Sequence, residues 1–515
     1  MKRRSFLKAC AMSSLGMYAA PALAQRAGKP NLLIIHTDEH NFRTLGCYRN
    51  TLPPDQAFVW GKDAFVETPN IDWIAENGAL CTKFYATSPV CSPSRASFVS
   101  GLYPHTINVP TNDWAMDDNV VTFASVLAAN GYETGYAGKW HLDGTGKPQW
   151  VPERNFGFED NKYMFNRGHW KKLADTPNGP KVDTGDKPTY DVAGADNKSY
   201  TTDFLTDRAI AFMERNRAKP FVFMLSIPDP HSPDTVRRPY TRRYEKMKFE
   251  TPRTAMKKLE DAPSWAKPEG PPLTQHRYFG MVKCIDHNVG KLISCLKENN
   301  LIDNTIVVFT SDHGDMCGEH GRQNKGIPLE ASARVPFLIY YKAKIRKGTI
   351  VRQSLGCVDF LPTILSLMGV ITSVKVAGRD ASELFKTGIS PLGWKDITFM
   401  RSAGEKDRGW LCAATSRYKL VLSSRDEPWL LDLEQDPDEL KNFRDAAGYR
   451  GRVKSLAQAL KTYATEFKDP RIRDPRIAAD LKWCASGTGA YRAPAISAPP
   501  STRGKSRRGR RRRGR

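Results

Sequence analysis

The chain has 515 residues, of which 40% are hydrophobic and 10% aromatic, a composition that is typical of a folded globular protein and excludes a disordered one. At this length the chain can bury a large core and form more than one folding unit. The formal net charge is +23. Beyond the N-terminal segment, no apolar run reaches the roughly 18 residues that a membrane span requires, so no membrane span is expected.

Residues 1–24 are predicted to be an export signal. The segment "MKRRSFLKACAMSSLGMYAAPALAQ" starts with basic residues, continues through a modest apolar stretch and ends in Ala22-Leu23-Ala24. Within it, "KRRSFLK" resembles a twin-arginine signal, although Lys2 stands where Ser or Thr is usual. The alternative is a short N-terminal helix. The signal indicates an exported protein, periplasmic or secreted, that folds before it crosses the membrane.

From Asn31 onward, short apolar runs alternate with helical patterns. The runs "NLLIIH", "PFVFMLSI", "TIVVFTS" and "RVPFLIYY" predict buried strands, whereas "VVTFASVLAAN" and "RYFGMVKCIDHNVGKLISCLKENN" predict helices. Strands without polar alternation, separated by helices, favour a large, mostly parallel sheet flanked by helices. The sequence therefore predicts an α/β catalytic domain over residues 30–390. Its long aperiodic segment at about 143–200 is expected to be a rim insertion that walls a substrate cleft.

The pattern changes after about residue 395. "GWLCAATSRYKLVLSSRDEPWLLDLEQDPDELKNF" predicts short strands in hairpins, and a helix follows near "VKSLAQALKTYATEF". We expect a small C-terminal α+β domain with a short antiparallel sheet over residues 395–485.

Residues 486–515 are expected to be a disordered basic tail. The last stretch, "STRGKSRRGRRRRGR", carries nine Lys or Arg and no acidic residue, and it has no apolar residue with which to offset its ordering entropy. Such a tail could contact an anionic surface or an acidic glycan. A solvated tail with no partner is an equal alternative, and no specific nucleic acid partner is expected.

Ten cysteines in an exported protein suggest disulfides. Cys10 would leave with the signal, and Cys91 is considered separately below. The other eight have no pairing that the sequence defines, and no two have the spacing of a structural zinc site. They are Cys47, Cys81, Cys284, Cys295, Cys317, Cys357, Cys412 and Cys484.

Polar side chains come immediately after three of the predicted buried strands. In a parallel sheet such positions meet at the carboxyl ends of the strands, where open α/β sheets bind ligands. One such cluster alone could be an ordinary loop, but three at the same topological position indicate a site. Within this site, Asp38, Glu39, Asp312 and His313 form an oxygen-rich set with one imidazole, which suits a hard divalent cation better than zinc. The candidates are Asp38, Glu39 and His40 after the first strand, Asp229 and His231 after the second, and Asp312, His313 and Asp315 after the third.

The stretch "SPVCSPSRASFVSGLYPH" holds Cys91 between two prolines, with Arg95 four positions on. From these residues alone, Cys91 could be half of a disulfide, a thiolate nucleophile or a site of chemical conversion. "CSPSRASFVSG" is similar to the Cys-x-Pro-Ser-Arg signature of the formylglycine-dependent sulfatases, type I sulfatases of the alkaline phosphatase superfamily. Further motifs of that family occur in order: "HTDEH", "TPNIDWIAENG", "GLYPH", "GYAGKWHL", "DPHSP", "SDHGDMCGEHG" with Lys325, and "WLLDLEQDPDELKN". The ordered set resembles this family over most of the chain.

The resemblance implies that a maturation enzyme oxidises Cys91 to formylglycine, which hydrates to a gem-diol. One oxygen of the gem-diol attacks the sulfate sulfur, and loss of a proton from the second hydroxyl then expels sulfate as the aldehyde re-forms. A thiolate nucleophile would leave a sulfur–sulfur adduct with no internal route to breakdown. The neighbouring Pro93 and Arg95 would belong largely to the maturation signal.

The resemblance also implies roles for individual residues. A divalent cation, calcium rather than magnesium, would bind to Asp38, Glu39, Asp312, His313 and the converted Cys91. Arg95 and Lys139 would hold the gem-diol, and His141 would be hydrogen-bonded to it. Lys325 would bind a sulfate oxygen. His231 would be the general acid that protonates the leaving alcohol, with Lys325 as the alternative.

Two residues depart from the usual family pattern. Glu39 stands where a second Asp is common, and its longer side chain could change the metal distance or keep the carboxylate away from the ion. His313 stands where Asn is frequent.

The leading interpretation is an exported sulfatase that acts on sulfated carbohydrates. The alternatives are a phosphonate monoester or phosphodiester hydrolase that uses the same site, and a non-catalytic polyanion-binding protein. Several other polar residues are expected to be structural or have no assigned role. His36, His105, Asp286 and His287 are expected to be structural, and Asp315 and His320 have no assigned role.

Overall fold

The computed structural model describes residues 28–184, 189–255, 262–267, 274–404, 409–486 and 489–494. Its strands are β1 Asn31–Asp38, β2 Ala79–Tyr85, β3 Glu133–Lys139, β4 Asp160–Phe165, β5 Leu173–Thr176, β6 Gly179–Val182, β7 Phe221–Pro230, β8 Thr305–Ser311, β9 Arg334–Val335, β10 Phe337–Tyr340, β11 Thr349–Gly356, β12 Thr398–Arg401, β13 Trp410–Ala414, β14 Tyr418–Ser423 and β15 Trp429–Asp432. Its α-helices are α1 Gly46–Arg49, α2 Pro54–Ala57, α3 Pro69–Asn77, α4 Cys91–Ser100, α5 Phe123–Ala129, α6 Thr201–Arg215, α7 Tyr240–Arg243, α8 Gln275–Glu298, α9 Glu330–Ala333, α10 Phe360–Met368, α11 Ser382–Thr387, α12 Arg450–Glu466 and α13 Pro475–Ser486. The predicted export signal and most of the predicted basic tail lie outside these residues.

A nine-stranded sheet forms the centre of the fold, in the order β11-β2-β10-β8-β1-β7-β3-β4, with β9 paired to β2. Strand β1 is parallel to both neighbours, so that Ile34 pairs with Met224 on β7 and with Val308 on β8. Every residue of β1, β7 and β8 is buried, because helices cover both faces of the sheet. This burial explains why these strands have uninterrupted apolar sequences.

The predicted strand "RVPFLIYY" is two strands in the structure. Pro336 separates β9 from β10, since a proline has no N–H to donate to a sheet. Strand β10 is antiparallel to β8 and β2, and it is therefore an exception within the mostly parallel sheet.

The two faces of the large sheet are covered by different helices. On one face, α8 buries Ile285, Val289, Leu292 and Leu296 at helical spacing, together with side chains of α3 and α6. On the other face, the core includes side chains of α4, α5, α10 and α11. Within the part of the chain that the structure describes, none of the helices is long and apolar enough to cross a membrane.

A smaller antiparallel sheet follows in the order β12-β13-β14-β15. Helix α12 packs on it through Val453, Leu456 and Leu460, which share a core with Leu411 and Leu420 of the sheet. The predicted fold class, a large mostly parallel α/β sheet plus a smaller antiparallel sheet with helices, is confirmed. The domain limits at 30–390 and 395–485 stay a prediction.

The suggestion of disulfides is wrong for the described residues. All nine cysteines among them are free and buried. Eight of them lie in apolar clusters, as Cys81 and Cys357 do beside Phe84 and Leu361, where a thiol packs as a small hydrophobic side chain. Cys91 is the exception and lies beside Asp38 and His313.

Candidate active site

The predicted site residues lie at the carboxyl ends of four adjacent strands. The four strands are adjacent in the order β8, β1, β7 and β3. Strand β8 leads to Asp312, β1 ends at Asp38, β7 leads to His231 and β3 ends at Lys139. Because parallel strands end at the same edge, residues from distant parts of the sequence meet there.

Cys91 is the first residue of helix α4 and lies directly beneath this edge. It is 2% exposed. Its Sγ is 3.2 Å from His313 Nε2 and 3.7 Å from Asp38 Oδ1. Pro93 is compatible with the first helical turn, because the N–H groups there have no partner within the helix. Burial raises the pKa of the Cys91 thiol, but nearby positive charges, of which Lys139 contributes most, lower it well below its ordinary value.

Four of the five predicted metal ligands converge. Asp38, Cys91, Asp312 and His313 each place one ligand atom within 4.8 Å of the others, and all four are buried. The Nδ1 of His313 lies 3.0 Å from the Gly314 carbonyl oxygen and must donate to it, which leaves Nε2 free to bind a ligand. The set of two carboxylates, one imidazole and one sulfur is therefore able to hold a cation.

Glu39, the fifth predicted ligand, lies next to this cluster. Its Oε2 is 2.9 Å from His231 Nε2 and 3.0 Å from Lys325 Nζ. Burial raises the pKa of Glu39, but these two cations outweigh burial and lower it to about 2. The carboxylate therefore pairs with a histidine and a lysine, while its backbone N–H, at a φ of 64°, donates to Asp312 Oδ1 over 3.1 Å.

Arg95 fixes the two aspartates of the cluster. Its Nε donates to Asp312 Oδ2 over 2.9 Å, and one terminal nitrogen donates to Asp38 Oδ2 over 3.2 Å. The other terminal nitrogen donates to the Lys139 carbonyl and to Ser226 Oγ, each over 2.7 Å. A planar guanidinium that is buried and bonded on three nitrogens acts as a rigid brace between two carboxylates.

Lys139 is fully buried beside Asp38. Its Nζ is 2.5 Å from Asp38 Oδ2 and 2.8 Å from His169 Nε2. Burial raises the pKa of Asp38, but Lys139 and the neighbouring cations lower it well below the ordinary value. Asp38 is therefore held as a carboxylate.

His231 and Lys325 form the outer part of the site. The His231 Nδ1 donates to the Ser232 carbonyl over 2.8 Å, and Nε2 lies 2.8 Å from Lys325 Nζ. Burial lowers the pKa of His231, but Glu39 outweighs burial and raises it to about 10. Burial likewise lowers the pKa of Lys325, and Glu39 raises it above its ordinary value.

His141 lies in the strained turn that follows β3, with a φ of 63°. Its Nε2 is 3.1 Å from Asp113 Oδ1, which also pairs with Arg167 Nε over 2.9 Å. The buried Nδ1 of His141 has no hydrogen-bond partner among the described residues. The bond from His141 to the converted cysteine stays a prediction.

His169 also lies in the site, although it was not among the predicted site residues. The ring of His169 stacks on that of His231 with centroids 3.6 Å apart and an angle of 8° between the planes. It also lies 3.6 Å from Asp38 Oδ2. His169 is in the aperiodic segment at 143–200, where neither periodicity nor a strand end marks a residue, so the sequence offered no signal for it.

A buried ion pair supports the strand end that carries His231. Lys171 Nζ is 2.7 Å from Asp229 Oδ1 and 3.3 Å from the His231 carbonyl oxygen. Asp229 Oδ2 accepts hydrogen bonds from Tyr200 and Thr202 over 2.6 Å each. The backbone at His231 is thus anchored by Lys171 from the connection between β4 and β5, and indirectly by Tyr200 and Thr202 at the start of α6.

Three of the four residues expected to be structural, Asp286, His287 and His105, have hydrogen-bond partners. Asp286 Oδ1 accepts from the backbone N–H groups of Asn70 and Ile71 at the start of α3. His287 Nδ1 is 2.7 Å from Tyr240 Oη. His105 Nε2 lies 3.0 Å from the Phe467 carbonyl oxygen, and His36 is buried in β1. Asp315 and His320, to which no role was assigned, are both buried after β8.

The chain is similar to known sulfatases. The sulfatase family model matches residues 30–370, and the model described as N-sulphoglucosamine sulphohydrolase, C-terminal, matches residues 318–466. The ulvan-active sulfatase of Formosa agariphila is 30% identical, over 86% of this chain and 82% of the relative. The N-acetylglucosamine-6-O-sulfatase of Bacteroides thetaiotaomicron is 25% identical, over 86% of this chain and 87% of the relative.

A solved structure shows the same fold. It is described as a complex with its substrate D-glucosamine-2-N, 6-O-disulfate, and it matches with a TM-score of 0.71 and 23% identity over 86% of this chain and 98% of that chain. The sulfatase model alone covers well over half of the chain. The protein therefore belongs to the sulfatase family and is a sulfuric ester hydrolase.

Proposed function

We propose that this sulfatase removes sulfate from carbohydrates, that its nucleophile is a formylglycine made from Cys91, and that a divalent cation assists it. The observation that supports this proposal most strongly is the position of Cys91. A lone cysteine that is buried 3.2 Å from His313 and 3.7 Å from Asp38, at the start of a helix, lies among ligand-type side chains and is not part of a disulfide.

The donor set fits a hard cation once Cys91 is converted. Asp38 and Asp312 supply carboxylate oxygens and His313 supplies an imidazole, but a sulfur in the fourth place is a soft ligand. An oxygen of the converted side chain would make the set oxygen-rich, as calcium prefers. Calcium is favoured over magnesium because magnesium demands near-ideal octahedral geometry and keeps its waters. When bound, the ion would supply positive charge next to the sulfate group.

In the proposed reaction, one gem-diol oxygen bonds to sulfur as the bond from sulfur to the ester oxygen breaks. The attacking hydroxyl releases its proton to solvent and His231 gives its Nε2 proton to the departing alcohol. The second hydroxyl of the gem-diol then returns a proton to the neutral His231. The aldehyde re-forms, the carbon–oxygen bond to the sulfate breaks, and a water molecule restores the gem-diol.

His231 suits the role of general acid better than Lys325 does. A proton donor works best when its pKa is close to the working pH. The pKa of His231 is about 10, whereas that of Lys325 is raised above an already higher ordinary value. We therefore assign proton transfer to His231, and binding of a sulfate oxygen to the Lys325 ammonium.

Arg95 and Lys139 hold the nucleophile side of the site. Arg95 uses three nitrogens on Asp38, Asp312 and neighbouring oxygens, so it acts by orienting the two carboxylates. Lys139 places a second positive charge against Asp38 and is assigned to polarising the gem-diol, with His141 Nδ1 as a hydrogen-bond partner.

Conversion of Cys91 has to precede folding, because the side chain is 2% exposed in the folded protein. We therefore infer a partner enzyme that recognises the "CSPSR" stretch in an unfolded chain. The nine described cysteines are unpaired and buried. This is consistent with export by the twin-arginine route, because a protein that folds in the reducing cytoplasm buries its thiols before it reaches an oxidising compartment.

The carbohydrate substrate is supported by the two relatives named for ulvan and for N-acetylglucosamine. A phosphonate monoester or phosphodiester hydrolase would use the same residues, because its substrate is also an anionic ester.

The deciding experiment measures the mass of the purified protein and its activity together. Conversion of Cys91 lowers the intact mass by about 18 Da. We expect the converted enzyme to hydrolyse 4-nitrophenyl sulfate and sulfated glucosamine faster than an aryl phosphodiester, and Cys91→Ala to be inactive. Full activity in an unconverted preparation would refute the proposed nucleophile, and faster turnover of the phosphodiester would favour the alternative.

A further inference from the structure

His169 is held rigidly in the connection between β4 and β5. Gly168, immediately before it, has a φ of 116°, and a Cβ at that position would lie 2.3 Å from the Trp170 ring. Trp170 Nε1 donates to the Arg167 carbonyl over 3.0 Å. On the other side, Lys171 is fixed by its buried ion pair with Asp229. Glycine at 168 and these contacts therefore define where the imidazole of His169 lies.

The imidazole covers one face of His231. A centroid distance of 3.6 Å and an angle of 8° place the two rings in face-to-face contact. The ring of His231 cannot turn about its Cβ–Cγ bond without striking that of His169. Together with the bond from His231 Nδ1 to the Ser232 carbonyl, the stack directs His231 Nε2 toward Lys325 and Glu39.

The nitrogen of His169 makes a second contact. Its Nε2 is 2.8 Å from Lys139 Nζ. Because an ammonium group only donates hydrogen bonds, Nε2 of His169 is the acceptor. His169 therefore links the lysine on the nucleophile side of the site to the histidine on the leaving-group side.

We propose that His169 is a positioning residue for departure of the alcohol, acting through the ring stack that fixes His231 and through the hydrogen bond from Lys139. This inference rests on the proposed function, in which His231 protonates the leaving oxygen. Of these two contacts, we expect the stack of the His169 ring on His231 to have the larger effect on the rate, because it determines the direction in which His231 donates its proton.

The proposal makes a prediction that depends on the leaving group. 4-Nitrophenolate is stable as an anion and departs without a proton, whereas an alkoxide or an unactivated phenolate requires one. Misalignment of His231 therefore slows poor leaving groups selectively. A residue that only stabilised the fold would change all substrates alike.

The test uses the matured full-length enzyme with substituted phenyl sulfates that differ in the pKa of the phenol. For His169→Ala we expect kcat/KM to fall about 100-fold for the poorest leaving group and no more than about fivefold for 4-nitrophenyl sulfate. His169→Phe keeps a flat ring without the nitrogen and is expected to recover at least about tenfold on the poor leaving group. His169→Asn keeps polar atoms without the ring and should resemble His169→Ala. His287→Ala, an exposed histidine away from the site, is the matched control.

The outcomes separate the two hypotheses. Equal losses across the substrate series, or His169→Phe as impaired as His169→Ala on poor leaving groups, would overturn the role of His169. A wild-type enzyme with no activity on any sulfate ester would refute the proposed function instead. Thermal unfolding and bound metal are measured for each variant, and if His169→Ala does not fold, the comparison of His169→Phe with His169→Asn decides.

Discussion

The sulfur of Cys91 lies 3.2 Å from Nε2 of His313. Since His313 Nδ1 is committed to the Gly314 carbonyl, Nε2 is the atom that can bind either a proton or a cation. The cysteine that is proposed to be converted therefore lies in contact with a histidine that is proposed to bind the ion.

Removal of the divalent cation with a chelator is expected to lower activity at least about 100-fold, and calcium should restore it, because the ion supplies positive charge beside the sulfate. His313→Ala should bind less calcium and need a higher calcium concentration for activity. The measurements are metal content by elemental analysis and the rate with 4-nitrophenyl sulfate. Undiminished activity in a preparation shown to be free of metal would exclude a role for the ion.

Arg95→Lys is expected to lower kcat/KM by at least about 100-fold, because one ammonium cannot bond to both Asp38 and Asp312 in the way that a planar guanidinium does. Each partly unpaired carboxylate would also reduce the free energy of unfolding, by about 3 kcal/mol in total. Kinetics and urea denaturation check the two effects. Arg215→Lys, at an exposed ion pair, is the control and should change neither quantity.

The pH dependence of kcat/KM should report His231. Its pKa in the free enzyme is raised to about 10 by Glu39, against the effect of burial, so the protonated acid is present at neutral pH and is lost as the pH rises through about 10. Activity should therefore fall on the alkaline side with poor leaving groups. In His231→Gln this alkaline fall should disappear along with most of the activity. An unchanged alkaline fall in the variant would show that another group is responsible for it.

The ion pair between Lys171 and Asp229 offers a stability test. Lys171→Met leaves a buried carboxylate without its cation and should lower the free energy of unfolding by about 3 to 5 kcal/mol. The control is Lys219→Met, which removes an equally short contact to Glu133 at the surface and should cost less than about 1 kcal/mol. Equal losses in urea denaturation would contradict this difference.

The central strands were predictable because burial on both faces leaves a continuous apolar sequence. Asp38, Asp312 and His231 were predictable for a related reason, since each comes at or just after the end of such a strand. Other features had no such signal. Strand β4 lies at the edge of the sheet, where mixed burial removes the pattern, and it was assigned to an irregular insertion.

Side-chain direction was the part of the site that sequence could not provide. The motif places Glu39 beside Asp38, but a left-handed backbone at Glu39 turns its carboxylate toward Lys325 and His231. The stack of His169 on His231 depends on a loop conformation that periodicity does not encode. Similarly, a count of cysteines could not show that eight of the nine described thiols lie in apolar clusters.

Because Cys91 is deeply buried, its oxidation must compete in time with folding of the chain. If the thiol is oxidised only while the chain is open, each molecule has one interval, between synthesis and collapse of the core, in which it can become active. A variant that folded more quickly would then contain fewer working copies. Slowing synthesis or cooling the culture would then change specific activity by changing the fraction of chains in which Cys91 is converted, with no change in the amino-acid sequence.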